Sequence, residues 1–233
     1  MDYERYKKYF LARTFAFRYV GIALVALGAL MFFLGYFTFV YMFMPFGGIA
    51  LVLGGIVGWA PSIGRADDKE ILSAISRKTE GAEESAVAET GLRSRMVETL
   101  PPIKVTGYLY DVKNPYIRRG GDDHWRTSDC VCTVLIFAKS GVCAVSDGFS
   151  LVEDKSRHDI YQLPFADFDG AHFETEEDVI AYKNKSETAK FSRLVFTLGE
   201  SAVLTIPAER TSTVEMAIEE ILRQREIALR EAK

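Results

Sequence analysis

Four basic side chains occur close together between residues 111 and 126, and such a cluster could hold a phosphate group. They are Lys113, Arg118, Arg119 and Arg126. A guanidinium group binds phosphate oxygens through two parallel hydrogen bonds, and Gly120 and Gly121 would let a ligand approach the backbone. Four carboxylates lie within or beside the same segment, at Asp111, Asp122, Asp123 and Asp129. Because they cancel the positive charge, we favour the alternative of a solvated loop with local ion pairs.

Two histidines lie beside carboxylates, an arrangement that can orient a general base. Asp122 and Asp123 precede His124, and Asp159 follows His158. Neither pair is accompanied by a nucleophile in a recognisable turn. The sequence also contains no P-loop, no G-x-G-x-x-G and no H-E-x-x-H motif. We therefore expect that the protein is not an enzyme and that it uses no cofactor.

The chain has three cysteines, Cys130, Cys132 and Cys143. A small, odd number suits a reducing compartment. Cys130 and Cys132 alternate along an apparent strand and so share a face, where a metal site with His124 is conceivable. The spacing does not match a zinc motif, and free cysteine is among the most buried residue types. We interpret all three as small buried hydrophobes and predict no metal site.

Residues 19–61 form a tract of 43 residues without a charged residue or a histidine. A single helix of this length would be about 64 Å long, twice the roughly 30 Å of a bilayer core. We therefore predict two transmembrane helices, at residues 19–37 and 44–60, with Pro45 in the first turn of the second. A hairpin that enters the membrane without crossing it is the alternative, because the connecting loop carries no charge to hold it outside.

Glycines recur along both predicted helices. Gly21, Gly28 and Gly35 are seven residues apart on the first, and Gly47, Gly54 and Gly58 share a face of the second. Small residues let helices approach closely in lipid. The two stripes can pack on each other within the hairpin, which we favour because the partner helix is tethered alongside. The other reading is that they form a homo-oligomer.

Basic residues flank the uncharged tract on both sides. Residues 1–18 carry a net charge of +3, and Arg65, Lys69, Arg77 and Lys78 follow the second helix. The positive-inside rule therefore predicts a multi-pass protein of the cell membrane with both termini in the cytoplasm. The basic, aromatic segment at residues 1–18 is either an interfacial helix or the end of the first span. Residues 62–233 contain 23 basic and 30 acidic residues, which argues against nucleic-acid binding.

The chain after the membrane changes from helical to strand-like patterning. Residues 62–102 predict a polar helical stalk, which the two prolines at 101 and 102 end. From residue 103 we predict about seven short strands, with tight turns at residues 139–141 and 199–200. A last helix is predicted from a capping box of Ser212 and Glu215. Its apolar face comprises Val214, Ile218, Ile221 and Leu222.

This order of elements resembles the pleckstrin-homology-like (PH-like) superfold. The run VLIFAKSGVCAVSDG, followed by IYQLPFADFDG, is similar to bacterial PH-like and GRAM-like domains, in which a strand–turn–strand precedes a Pro–aromatic–x–Asp–apolar run. Here that run is residues 164–168. The resemblance covers roughly residues 103–231, and we predict a PH-like cytoplasmic domain at residues 103–233. It implies an α+β chain in which an N-terminal transmembrane helical hairpin precedes a bent antiparallel β-barrel with a C-terminal capping helix.

The PH-like resemblance also implies a binding function, toward phosphoinositide headgroups or protein segments. Lipid-binding members carry a basic cluster in the first hairpin loop, a position that Lys113, Arg118, Arg119 and Arg126 occupy here. Gly120 stands where a further basic residue would be expected. We therefore expect a scaffold that recruits an unidentified protein partner at the cytoplasmic membrane face. The alternatives are an anionic-lipid headgroup reader and an accessory subunit of a transport or envelope complex.

Overall fold

The computed structural model of the chain describes residues 2–11, 15–37, 42–59, 64–97, 100–113, 115–182 and 185–231. The chain divides into two compact units. One unit comprises Leu11–Asp67, and the other joins Met1–Phe10 to Asp68–Lys233. The N-terminal segment therefore belongs to the unit that contains the sheets, although the sequence suggested four consecutive segments.

Helices precede and follow the strands along the chain. They are α1 (Tyr3–Phe10), α2 (Phe15–Phe37), α3 (Phe43–Trp59), α4 (Asp68–Lys78), α5 (Ala82–Thr90) and α6 (Ser212–Glu231), with a 3₁₀ turn at Leu92–Arg95. The strands are β1 (Ile103–Tyr108), β2 (Ile117–Arg119), β3 (Trp125–Thr127), β4 (Asp129–Ala138), β5 (Gly141–Ser150), β6 (Ser156–Pro164), β7 (Gly170–Tyr182), β8 (Lys185–Leu198) and β9 (Ser201–Pro207). The chain is thus an α+β protein with an N-terminal apolar helix, antiparallel sheets and a C-terminal helix.

Within the described part of the chain, one helix is long and apolar enough to cross a membrane, the Tyr19–Phe37 part of α2. The second apolar helix, α3, has 17 residues. At 1.5 Å per residue it is about 25 Å long, shorter than a bilayer core of about 30 Å. The structure therefore establishes one span candidate where the sequence predicted two, because α3 lies at the lower limit of length.

Helices α2 and α3 pack on each other through glycines. A Cβ atom added to Gly28 would lie 2.7 Å from the carbonyl oxygen of Gly47, and one added to Gly54 would lie 2.8 Å from that of Gly21. No larger residue fits at these contacts unless a backbone moves. Gly35 is buried in α2, whereas the burial of Gly58 lies outside the described residues. Four of the six predicted glycines thus meet between two helices of the same chain.

The strands form three antiparallel sheets, ordered β1-β4-β5-β6, β2-β3 and β7-β8-β9. Both predicted tight turns are confirmed, since Ala138 pairs with Gly141 and Leu198 pairs with Ser201. Gly199, in the second turn, has a φ of 62°, a conformation that glycine adopts without strain. Nine strands are present in the described residues where about seven were predicted. The β2-β3 ribbon lies in the segment that the sequence indicated as a loop.

The main hydrophobic core lies between the two larger sheets and α6. It includes Leu135 from β4 and Leu194 and Phe196 from β8, all fully buried. Val214, Ile218 and Ile221 of α6 are buried in the same core, as the periodicity predicted. The predicted capping box of Ser212 and Glu215 is wrong, and Glu215 instead pairs with Arg210. The backbone amide of Val214 donates to the hydroxyl of Thr211 at 3.4 Å, so Thr211 precedes the helix and Ser212 is its first residue.

The predicted stalk is helical, and its second helix, α5, packs on the sheet. Ile71, Ala74 and Ile75 of α4 are buried. Ala86 of α5 packs against Val134 and Ile136 of β4. The reason is that β4 carries apolar residues on both faces, and the face turned away from the main core requires a cover of its own.

Candidate functional site

The four predicted basic residues lie in or beside the short β2-β3 ribbon. Arg118 and Arg126 are direct cross-strand partners, and Arg119 is opposite Trp125. The turn is closed by a hydrogen bond from the amide of Gly120 to the carbonyl oxygen of His124, at 2.9 Å. Asp123 in this turn has a φ of 64°, which short polar residues tolerate better than most.

Arg126 is buried and paired with a carboxylate of its own turn. Its residue exposure is 3%, and its two terminal nitrogens donate to the oxygens of Asp122 at 2.8 and 2.5 Å. These hydrogen bonds lower the pKa of Asp122. A Cβ atom at Gly120 would lie 1.9 Å from Arg126 Nη1, so the glycine leaves space for the guanidinium. Arg126 therefore forms a structural ion pair with Asp122 and is not an exposed phosphate ligand.

Arg118 holds the N-terminal helix. Its guanidinium lies 4.1 Å from the centroid of the Tyr9 ring, within the range of a cation–π interaction. Its Nη1 also donates to the carbonyl oxygen of Tyr9 at 2.5 Å. Tyr9 has an exposure of 0%. The guanidinium is consequently engaged by both the backbone and the ring of a buried residue.

The carboxylate of Asp68, on α4, binds both α1 and the turn of the β2-β3 ribbon. The hydroxyl of Tyr9 donates to Oδ1 at 2.5 Å, and the amide of Gly121 donates to Oδ2 at 2.7 Å. Burial raises the pKa of Asp68, but these hydrogen bonds, with help from Arg126 and Arg118, outweigh burial and lower it. Burial and the bond to Asp68 raise the pKa of Tyr9. We call Tyr9, Asp68, Arg118 and Gly121 the N-terminal clasp.

Further contacts attach α1 to the same unit. Arg5 forms an ion pair with Glu70 of α4 at 2.5 Å. Tyr6, Tyr9 and Phe10 are buried and lie three and four residues apart on one helical face. This aromatic face packs within the folded unit, and neither of our two expectations for residues 1–18 describes that placement. The segment is aromatic because α1 contributes to a protein interior.

The other two basic candidates differ from Arg118 and Arg126. Arg119 is 44% exposed and approaches Asp123 at 3.3 Å and Glu187 at 3.7 Å, which are surface ion pairs of small energetic weight. Lys113 is exposed, and no hydrogen bond or ion pair joins it to the rest of the described chain. The structure thus brings three of the four residues into contacts with carboxylates or with α1, and leaves Lys113 outside them.

A cleft of about 440 Å³, which sequence reasoning missed, lies beside the ribbon. Its aromatic lining comprises Tyr108, Tyr110, Trp125 and Phe191. Tyr110 stacks on Phe191 with 4.1 Å between ring centroids, and its hydroxyl donates to the carbonyl oxygen of Trp125 at 3.0 Å. No local motif could have revealed this cleft, because residues far apart in sequence meet only when β8 folds back beside β3.

His158 is not paired with the adjacent Asp159. Its Nδ1 lies 2.7 Å from Oδ1 of Asp147, and its Nε2 lies 2.9 Å from Oε1 of Glu89 on α5. The hydrogen bond to Asp147, helped by Glu89, raises the pKa of His158. Asp159 instead binds Arg157 at 2.5 Å. The histidine therefore links α5 to β5 and β6, and no nucleophile takes part in these contacts.

The three cysteines are free and buried, as predicted. Burial raises the pKa of Cys130 and Cys143, and it raises that of Cys132 to about 11. They are therefore protonated at neutral pH and unreactive as nucleophiles. Within the described ranges, no three His, Cys, Asp or Glu side chains are grouped so that they could hold a metal ion.

Comparison of the chain with family models, curated proteins and solved structures found no match in any of the three. The PH-like resemblance therefore stays a prediction from element order and sequence pattern.

Proposed function

We propose that the protein is a membrane-tethered PH-like module that recruits a protein partner at the cytoplasmic face of the membrane. Helix α2 provides the anchor by its length and composition. Helix α3 crosses back, so that the basic segments before α2 and after α3 both lie on the cytoplasmic side. The module is a binding scaffold and does not catalyse a reaction.

This proposal rests on one observation: the basic side chains of the β2-β3 ribbon are already bound by other residues of the chain. Arg126 is paired with Asp122, and Arg118 is held by Tyr9. A headgroup site would have to break these contacts. A basic side chain near an anionic surface is worth only about 1 kcal/mol, whereas hydrogen bonds to charged groups are worth about 1.5–3 kcal/mol. Binding of a protein is therefore favoured over reading of a lipid headgroup.

The arrangement of the sheets supports the PH-like interpretation. The four-stranded and three-stranded sheets share one core with the C-terminal helix, as a bent barrel closed by that helix would. The edge strands β1 and β9 also approach each other, since a Cβ atom at Gly107 would lie 2.3 Å from the carbonyl oxygen of Pro207. Gly107 thus allows a close backbone contact where the two sheets meet.

The recruiting function can be tested by photo-cross-linking in native membranes. A photoreactive residue at His124, beside the cleft, should capture the same protein reproducibly, and one at the exposed Glu219 of α6 should not. Mass spectrometry identifies the captured species. Capture of phospholipid alone at position 124, or identical patterns at both positions, would refute recruitment through this face.

The topology has a separate test. Single cysteines replacing Glu4 and Ile160 should resist a membrane-impermeant thiol reagent in intact cells, and one replacing Val40 should be labelled. The three native cysteines are buried and do not interfere. Labelling at position 160 in unbroken cells would overturn the cytoplasmic orientation.

A further inference from the structure

The aromatic cleft beside β2 and β3 has the size and lining of a ligand site. Its volume of about 440 Å³ falls within the range of about 300–1,000 Å³ that is typical of such sites. Tyr108 and Tyr110 are half-buried on one side, and Phe191 lies against Tyr110. Aromatic faces carry negative potential and attract ammonium and guanidinium groups.

The basic side chains around the cleft are already neutralised by carboxylates of the chain. Arg126 is paired with Asp122, Lys190 with Glu177 at 2.6 Å, and Arg210 with Glu215 at 2.5 Å. Arg193, which stacks on Phe191 at 5.5 Å, is likewise paired with Glu176 at 2.8 Å. These groups offer little net charge to an anion.

One acidic residue of the lining has no such neutralisation. Glu209 is exposed, and no ion pair joins it to any described residue. After burial, the Glu209 carboxylate is the largest contributor that raises the pKa of Tyr110, so its charge acts on the aromatic wall. The cleft therefore combines aromatic faces with one unneutralised carboxylate.

We propose that this cleft binds a cationic side chain, that of an arginine or lysine presented by the protein partner. The aromatic wall would contact the aliphatic stem and the charged head, and Glu209 would pair with the charge. This inference rests on the proposed recruiting function, because a side chain of this kind must be presented by a polypeptide. An anionic ligand would meet Glu209 and find the basic groups occupied.

The test uses the full chain in nanodiscs of neutral lipid and two short peptides. The probe is acetyl-Gly-Arg-Gly amide, and its matched control carries citrulline, which has nearly the same shape without the charge. Saturation-transfer NMR titration should show saturable binding of the arginine peptide and binding of the citrulline peptide that is weaker by about fivefold or more. Acetyl-Gly-Glu-Gly amide should not bind.

Two variants locate the site. Glu209→Gln should weaken arginine-peptide binding by about threefold to fivefold, and Glu200→Gln, at the exposed β8-β9 turn, should leave it unchanged. Both substitutions are at the surface, and circular dichroism checks that the fold is kept. Absence of saturable arginine binding, equal binding of citrulline, preferred binding of the glutamate peptide, or no effect of Glu209→Gln would each overturn the proposal.

The peptide-binding test and the cross-linking test of the recruiting function can fail independently. Arginine binding without a cross-linked protein in native membranes would reject recruitment and leave the cation site standing. A captured partner without arginine binding would reject the cation site and leave recruitment standing.

Discussion

The hydroxyl of Tyr9 donates a hydrogen bond to the carboxylate of Asp68 across 2.5 Å, although 59 positions separate the two residues in sequence. Tyr9 lies just before the apolar helices and Asp68 just after them. The bond therefore joins the segment before the apolar helices to the segment after them, within one folded unit. Arg118 of the ribbon also binds Tyr9. The sequence suggested Arg118 as a candidate phosphate ligand, and its contact with Tyr9 gives it a structural role instead.

Removing the Tyr9 hydroxyl should loosen α1. Tyr9→Phe keeps the ring and its contact with Arg118 but leaves the Asp68 carboxylate with one hydrogen bond fewer. A hydrogen bond to a charged group contributes about 1.5–3 kcal/mol, so α1 should open roughly tenfold to a hundredfold more often. Limited trypsin digestion at Lys7 and Lys8 should be correspondingly faster. Tyr3→Phe is the comparison in the same helix, because it removes only the longer hydrogen bond of 3.2 Å from the Tyr3 hydroxyl to Asp154. Equal rates for both variants would mean that the clasp does not hold the helix.

The histidine bridge between α5 and the sheet should make stability depend on pH. The partners of His158 are Glu89 and Asp147, with Arg157 and Asp159 next to it. Because the hydrogen bond to Asp147, helped by Glu89, raises the pKa of His158 in the folded state, the stabilisation is present in full below the unfolded pKa of about 6.5. It is lost as pH rises through the higher folded pKa.

His158→Gln should therefore lower the thermal midpoint more at about pH 5.5 than at about pH 9. His172→Gln is the control, because His172 pairs only with Glu174 of its own strand among the described residues. A midpoint difference that is the same at both pH values for His158→Gln would show that the bridge does not depend on a charged imidazole.

Two adjacent glycines of α3 should respond oppositely to alanine. A Cβ atom at Gly47 would lie 2.8 Å from backbone atoms of Gly28 and Phe32, whereas one at Gly48 meets nothing within 4 Å. Gly47→Ala should destabilise the hairpin by about 1–3 kcal/mol through overpacking. Gly48→Ala should be neutral or stabilising by up to about 1 kcal/mol. Unfolding of the reconstituted chain in SDS measures both, and a neutral Gly47→Ala would place the packing face elsewhere.

The last helix should be necessary for the core between the sheets. Ile221 has an exposure of 0%, so Ile221→Ala should cost about 2–5 kcal/mol. Glu219→Ala, on the exposed side of the same helix, should change stability by less than about 0.5 kcal/mol. Urea unfolding followed by circular dichroism distinguishes them, and similar values would show that α6 does not seal the core.

Local patterns predicted much of this architecture. The uncharged tract indicated paired apolar helices, and the turns at residues 139–141 and 199–200 are where strand periodicity stops at glycine. The apolar face of α6 followed from a spacing of three and four residues. Such signals lie within a few residues of each other, so a single sequence shows them.

The contacts of the site could not be predicted in this way. Tyr9, Asp68 and Arg118 come from three elements, and nothing local indicates that they meet. The aromatic residues of α1 suggested a membrane interface because the same residue types suit both a bilayer surface and a protein interior. Charge cancellation in the ribbon was recognised, but the pairing of Arg126 with Asp122 depends on the turn geometry at Gly120.

The basic β2-β3 ribbon holds the N-terminal helix rather than a lipid. Hydrogen–deuterium exchange of the full chain in nanodiscs of neutral and of anionic lipid tests it most directly. If the ribbon holds α1, residues 3–10 should exchange slowly in both membranes, and residues 115–126 should exchange identically in the two. Fast exchange of residues 3–10 in neutral nanodiscs, or a change of protection in residues 115–126 on adding anionic lipid, would contradict it.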